Sequence, residues 1–210
     1  MQIETIVVGE FQVNCFIILG GGNEAIIIDP GKDPDVIASF IKQNGLSVAA
    51  YLLTHGHVDH VSGIADLHDE FPAPVALHGD DLKWAFTETN GALPFYPAPR
   101  APSEVSRVLA DGQELADAGL TYRVVSTPGH TPGSVCFLFV DHDILITGDT
   151  LFAGSVGRTD LPGGNSRVLS ESLKKLAGLP DRLEVLPGHG PSSDMATEKR
   201  TNYFMQSFQV

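Results

Sequence analysis

The chain has 210 residues, 42% of them hydrophobic, and sets 13 Lys and Arg against 26 Asp and Glu for a formal net charge of -13. That length is expected to form one domain, residues 1–210, with a large core. The acidic balance counts against nucleic acid or an anionic membrane face as the main partner, while leaving room for an anionic small molecule held by a local basic patch.

The start at Met1 shows no basic region followed by an apolar stretch, and no apolar run approaches spanning length, so a cytoplasmic place is expected. Cys15 and Cys136 lie in apolar, strand-like surroundings and are expected to be buried thiols rather than a disulfide.

Residues 2–8, 12–19 and 24–29 read as three strands, with Gly20-Gly21-Gly22-Asn23 as the turn joining the last two. The third ends at Asp29, either a turn former or a group held in a site. Asp33-Pro34 reads as an N-cap with proline in the first turn of a helix. Its Val36, Ile37, Phe40 and Ile41 share one face, and Asn44-Gly45 stops it. The apolar run 48–53 is the next strand and completes a β-α-β unit. It opens into Thr54-His55-Gly56-His57-Val58-Asp59-His60, after which Ile64, Leu67, His68 and Phe71 recur at three- and four-residue steps as in a helix.

Three histidines and an aspartate thus occupy six positions at the carboxyl end of a strand, where ligand sites in α/β proteins tend to lie. Imidazole and carboxylate suit zinc, iron or manganese. His55 and His57 could serve one ion, and Asp59 and His60 a second beside it; the alternative is four solvated loop residues.

Further along, 74–77 is a short strand and 79–87 a helix carrying Trp84. His78 between them, like His68, reads as a hydrogen-bonded structural histidine. Residues 88–103, with Pro94, Pro97, Pro99 and Pro102, form a loop without periodicity, either a lid or substrate wall or a plain connector. Strands follow at 121–126, 134–140 and 143–147, and Asp141-His142-Asp143 makes the last hairpin, so His142 is a turn residue. A helix capped by Asn165 or Ser166 runs to Gly178, 183–186 is the last strand, and a polar helix from about Ser193 closes the chain.

Three more strand ends carry candidate ligands: His130 in Thr127-Pro128-Gly129-His130-Thr131-Pro132-Gly133, Asp149 in Thr147-Gly148-Asp149-Thr150, and His189 in Pro187-Gly188-His189-Gly190. With His55, His57, Asp59 and His60 they exceed what one four-coordinate ion needs. They suit two ions, three imidazoles on one and two imidazoles plus Asp59 on the other, with Asp149 bridging. Two ions about 3.5–4 Å apart can hold a hydroxide between them for attack on an electrophilic carbonyl or phosphorus.

The HxHxDH loop, the GHTPGS loop, the GDT strand end and the GHG loop, in this order, resemble the metallo-β-lactamase superfamily. The resemblance implies an α/β fold, a four-layer αβ/βα sandwich with two mixed sheets face to face and helices outside. It implies that His55, His57 and His130 hold one ion, that Asp59, His60 and His189 hold the other, and that Asp149 bridges. Asp29 matches the superfamily's strand-end aspartate, which is structural or supports a ligand from behind.

Within the superfamily, β-lactamases are set aside because a cysteine is expected where Asp149 stands, and flavodiiron proteins because an acid is expected where His57 stands. Nucleic-acid-processing branches usually carry an added domain and basic surface. The stretch Leu151-Phe152-Ala153-Gly154-Ser155-Val156-Gly157-Arg158-Thr159-Asp160 looks like the short members of the glyoxalase II group. Full-length members add a C-terminal helical domain with glutathione contacts, about where this chain ends.

The implied activity is hydrolysis of a small-molecule thioester such as a hydroxyacyl-glutathione by a hydroxide bridging two divalent ions, zinc first, iron or manganese otherwise. Asp59 takes the hydroxide proton, and Arg158 either binds a substrate carboxylate or pairs with Asp160. The alternative is a persulfide dioxygenase with one iron on His55, His130 and Asp149.

Overall fold

The computed structural model describes residues 1–92 and 94–208. Residues 1–109 with 116–120 make one compact unit, and 110–115 with 121–210 make the other. Among the described residues no helix is long and apolar enough to cross a membrane.

The first unit holds β1 (Gln2–Val8), β2 (Val13–Leu19), β3 (Glu24–Ile28), α1 (Pro34–Gln43), β4 (Ser47–Leu52), α2 (Val58–Val61), α3 (Ile64–Glu70), β5 (Val75–His78), α4 (Gly79–Leu82) and β6 (Arg107–Leu109). Its sheet runs β1-β2-β3-β4-β5-β6 in space. The first two pairings are antiparallel and the last three parallel, so the sheet is mixed. Residues on both faces of β2, β3 and β4 are buried, Cys15, Ile17 and Ile27 on one and Ile18, Ile26 and Ile28 on the other. That is why these strands read as continuous apolar runs rather than as alternating ones. One face packs on Ile37 and Ile41 of α1 and on Ile64 and Leu67 of α3.

Proline opens α1 as expected, and the helix ends on bonds from Leu46 N to Ile41 O (3.0 Å) and from Gly45 N to Lys42 O (3.2 Å). These close the last turn through Gly45, whose φ is +63°. Asp33, expected as the N-cap, makes no side-chain cap bond and instead accepts from Gly9 N at 2.9 Å. The carboxylate is turned to the β1–β2 turn because the residue sits at φ +60°, outside the extended geometry a cap requires. The helix expected from His60 is two pieces, since Ser62 Oγ and Gly63 N both donate to Gly31 O and hold the chain against the end of β3. The helix expected at 79–87 stops at Leu82.

The loop at 88–103 is fastened to the turn after β1. Tyr96 is buried, its ring lies 4.8 Å from Phe11, and Lys32 Nζ donates to Phe95 O at 3.0 Å.

The second sheet contains β7 (Glu114–Asp117), β8 (Leu120–Ser126), β9 (Val135–Phe139), β10 (Ile144–Gly148), β13 (Glu184–Pro187) and β14 (Ser193–Asp194). Its order is β14-β13-β10-β9-β8-β7, with β10 and β13 parallel and β13–β14, β9–β10 and β8–β9 antiparallel. A separate hairpin pairs β11 (Leu151–Phe152) with β12 (Ser155–Val156). Helix α5 (Ser166–Ala177) is capped by Asn165, whose Oδ1 accepts from Arg167 N and Val168 N. Its Leu169, Leu173 and Leu176 pack with Met195, on α6 (Met195–Thr201), against Leu138, Leu145 and Val185 of the sheet.

Candidate metal centre

In the first unit the site begins where β3 and β4 end side by side. Asp29 is buried and held at φ +49°, a costly conformation for a residue with a Cβ. Its carboxylate faces the end of β4: Oδ1 accepts from Thr54 N at 2.7 Å and Oδ2 from Thr54 Oγ1 at 2.6 Å. His60 Nδ1 lies 3.0 Å from the same Oδ2, which only accepts, so Nδ1 carries the proton. Because the Thr54 hydroxyl proton is spent on Asp29, His55 Nδ1, 3.0 Å from Thr54 Oγ1, must donate as well. Both buried rings therefore turn an unprotonated Nε2 outward from the network, the form that a cation needs. Asp59 follows from the first turn of α2, its Oδ2 3.8 Å from His60 Nε2.

Asp29, His55 and His60 also offer ligand atoms within 4.8 Å of one another. Both oxygens of Asp29 are engaged in hydrogen bonds, Oδ1 with Thr54 N and Oδ2 with Thr54 Oγ1 and His60 Nδ1, so Asp29 reads as a support for the two histidines rather than as a ligand.

Between the histidines, Gly56 is clamped from two sides. Its N–H donates to the buried Asp81 Oδ2 at 2.8 Å, and its carbonyl accepts from the buried Asn90 Nδ2 at 2.7 Å. A side chain here would meet Ala85 Cβ at 3.0 Å and Asp81 Cβ at 3.2 Å, so any larger residue would have to push these neighbours aside. The Trp84 ring stands 5.5 Å from that of His57, at 60°. Asp81, Asn90 and Thr54 were missed at the sequence level, where nothing about Asp81 or Asn90 marks a partner that lies 25 or 34 residues away.

His78 and His68 behave as structural residues. His78 Nδ1 accepts from Asp80 N at the start of α4, and His68 Nδ1 lies 3.4 Å from Ser103 Oγ. His142 sits in the turn before β10.

In the second unit, His130, Asp149 and His189 come together from the loops after β8, β10 and β13. His130 Nδ1 lies 2.8 Å from the carbonyl oxygen of Arg158, which can only accept, so Nδ1–H donates. That Nε2 faces Asp149 Oδ2 at 3.6 Å, and His189 Nε2 faces the same oxygen at 3.5 Å. In the neutral ring the Nε2 lone pair faces the carboxylate oxygen, an arrangement that a cation between them would stabilise. The donor set of imidazole nitrogens and carboxylates fits a borderline divalent ion such as zinc or iron.

Threonines tie these strand ends together. Thr127 Oγ1 and Thr150 Oγ1 are 2.8 Å apart beneath His130 and Asp149, and Thr147 Oγ1 donates to Leu151 O at 2.7 Å. Arg158, the candidate for a substrate carboxylate, has its guanidinium on Asp160 through Nε (2.7 Å) and Nη2 (2.8 Å). Its carbonyl reaches His130.

Residues 8–189 match the metallo-beta-lactamase superfamily. The chain is 36% identical to the probable metallo-hydrolase YqgX of Bacillus subtilis, covering 97% of each. It is 34% identical to the hydroxyacylglutathione hydrolase GloC of Haemophilus influenzae, covering 99% of each. Among solved structures, the BLEG-1 B3 metallo-beta-lactamase superposes with a TM-score of 0.91 at 35% identity, over 97% of this chain and 99% of that one. TTHA1623 in a di-iron-bound form gives 0.84 at 37%, over 96% and 99%. ETHE1 from Myxococcus xanthus gives 0.80 at 28%, over 97% and 84%. The two mixed sheets with helices are the fold these proteins share.

Proposed function

The chain belongs to the metallo-beta-lactamase superfamily, and on that footing we propose that it is a binuclear metal-dependent hydrolase that cleaves a thioester such as a hydroxyacyl-glutathione. The proposed ligand sets are His55, His57 and His130 for one ion and Asp59, His60 and His189 for the other, with Asp149 shared. Zinc is the first choice of metal; iron is supported by the di-iron relative TTHA1623, and manganese suits the same donors. The thioester is supported by the 34% identity to GloC over nearly the whole of both chains.

One observation carries the binuclear reading. Two imidazoles, His130 and His189, approach a single carboxylate oxygen of Asp149 from different loops at 3.6 and 3.5 Å. A carboxylate placed so between two nitrogen ligands suits a bridge between two ions.

Two such ions, when bound, supply a hydroxide nucleophile at neutral pH and polarise the thioester carbonyl. The residues do the rest. Asp29 and Thr54 keep His55 and His60 in the Nδ1–H tautomer, and Arg158 O does the same for His130. Asp59, side chain 14% exposed beside His60, is placed to accept the proton released as the nucleophile attacks. A substrate carboxylate could use Arg158 only by displacing Asp160.

The stretch Gly157-Arg158-Thr159-Asp160, which resembles one in persulfide dioxygenases, favours a second reading, a persulfide dioxygenase with one iron on His55, His130 and Asp149. Metal content per chain, measured on protein purified without chelator beside His189→Ala, separates the two. Near two ions per chain, falling toward one in the variant, with hydrolysis of a hydroxyacyl-glutathione, is the expected result. One iron per chain, unchanged in the variant, together with oxygen uptake on a persulfide, would overturn it.

A further inference from the structure

We propose that Glu198, on the C-terminal helix α6, is a positioning residue for His130, Asp149 and His189, acting through the β11–β12 hairpin. The inference rests on the reading of those three residues as metal ligands and is independent of which reaction the metal serves.

The buried stripe of α6 is Met195, Glu198 and the following Asn202, spaced three and four apart. Two of the three are polar where packing alone would call for leucine, and burying a carboxylate is costly unless its hydrogen bonds are met. Those bonds run to the hairpin and its surroundings. Glu198 Oε2 accepts from Gly154 N, at the hairpin tip, at 2.9 Å and from Asn202 Nδ2 at 2.8 Å, and Ser193 Oγ donates to Oε1 at 2.5 Å. Asn202 Nδ2 also donates to Ser155 O at 3.0 Å. The tip is therefore gripped by Glu198 of α6 and by Asn202, which caps the helix.

The legs of the same hairpin touch all three ligands. It leaves Asp149 through Thr150 and returns at Gly157, whose N–H donates to Thr150 O at 3.4 Å. A Cβ on Gly157 would lie 1.8 Å from Asp149 O and 3.1 Å from His130 Nδ1, so the returning leg is pressed against both residues. The next residue, Arg158, supplies the carbonyl that fixes the His130 tautomer. In the outgoing leg, the Phe152 ring lies 6.2 Å from that of His189 at 71°. With only two residue pairs in its ladder, the hairpin has little stiffness of its own, and its tip is held by α6.

The structure supplies its own control. In Glu198→Gln the amide oxygen can take the Oε2 place, accepting from Gly154 N and Asn202, while the amide nitrogen donates to Ser193 Oγ. Glu198→Asp draws the acceptor back by one methylene, and Glu198→Ala removes it. Leu176→Ala, in the α5 core of the same unit, destabilises while leaving in place the hydrogen bonds from Glu198 and Asn202 to the hairpin.

The test uses the full chain and reads zinc affinity by chelator competition and solvent exchange of the His130 Nδ1 proton by NMR. The expected result is zinc binding weakened about 10-fold or more in Glu198→Ala, the order found for groups that orient metal ligands, with faster exchange at His130. Glu198→Asp should fall between, and Glu198→Gln and Leu176→Ala should stay near the parent in both readouts. If Glu198→Ala does not fold, Glu198→Asp against Leu176→Ala decides. Zinc affinity and proton exchange no different from Leu176→Ala would overturn the proposal. A chain that binds metal but leaves thioesters intact would defeat the proposed reaction and not this inference. If the parent holds a single iron, iron replaces zinc as the probe, since His130 and Asp149 belong to that set too.

Discussion

The hydroxyl of Thr54 and the carboxylate of Asp29 are 2.6 Å apart, and this bond sets the tautomer of His55, while Asp29 itself sets that of His60. Thr54 spends its only proton on Asp29, so His55 must donate to Thr54 as His60 donates to Asp29. Replacing Thr54 by valine keeps the volume and removes the relay. His55 then loses its fixed tautomer, and metal affinity should fall about 10- to 100-fold. The buried Asp29 also loses an acceptor bond, at about 1–3 kcal/mol of stability. Thr54→Ser should retain both properties. Calorimetric metal titration and thermal melts check this; equal affinities in valine and serine variants would show that the hydroxyl orients nothing.

Gly157 lies so close to Asp149 that a methyl group cannot be added without moving backbone, since the atom it meets, at 1.8 Å, is a carbonyl oxygen. Gly157→Ala is expected to cost at least the 1–3 kcal/mol typical of overpacking and to shift the Arg158 carbonyl away from His130. Loss of bound metal at a temperature where the variant is still folded is the outcome to look for. A variant with parental Tm and metal content would mean that this leg is pliable.

Trp84 is the single tryptophan of the chain, and its ring stands 5.5 Å from that of His57. Emission should therefore report the ion proposed at His55 and His57. Adding cobalt(II) to protein stripped of metal should quench it, with an end point that follows occupancy of that ion, while zinc should change it far less. Trp84→Phe should abolish the signal. Emission that ignores cobalt while elemental analysis shows it bound would place the ion elsewhere.

The two cysteines give a measure of how closed each core is. Cys15 and Cys136 are free and 0% exposed. Burial pushes the Cys136 thiol up to about 11, and burial pushes Cys15 higher still. Neither should react with a disulfide reagent in the native protein near pH 8, and two thiols per chain should appear on unfolding without reductant. Rapid labelling of one thiol in the native state would reveal local opening of the sheet that carries it.

The proposed ligands were legible because each sits where an apolar run stops: His55 after β4, His130 after β8, Asp149 after β10 and His189 after β13. Strand-end position and donor chemistry are local facts that a sequence displays. What holds them is not local. Asp81 and Asn90 clamp Gly56 from 25 and 34 residues away, and Glu198 reaches Gly154 across 44. None of the three belongs to a motif. Strands of two to four residues, such as β6, β11, β12 and β14, are too short to show a period. Asp33 carried the composition of a cap, but its positive φ turned the side chain to Gly9 instead.

Arg158 and Asp160 put the substrate question into a titration. The guanidinium, hydrogen-bonded to Asp160 at 2.7 and 2.8 Å, holds that carboxyl down at about 2 against an ordinary value of 3.8. A lowered folded-state value stabilises the charged form, so the pair helps the fold above about pH 4 and that help is lost as pH falls toward 2. Both side chains are more than 60% exposed, so the effect on Tm should be small. Arg158→Gln should return Asp160 to its ordinary range, read from its side-chain carboxyl carbon shift. The same signal tests substrate contact. If a hydroxy acid product binds its carboxylate to Arg158, it must free Asp160, whose midpoint should then rise toward 3.8. A midpoint that stays at about 2 with product at saturating concentration would assign Arg158 to its ion pair alone and leave its carbonyl, on His130, as its part in the site.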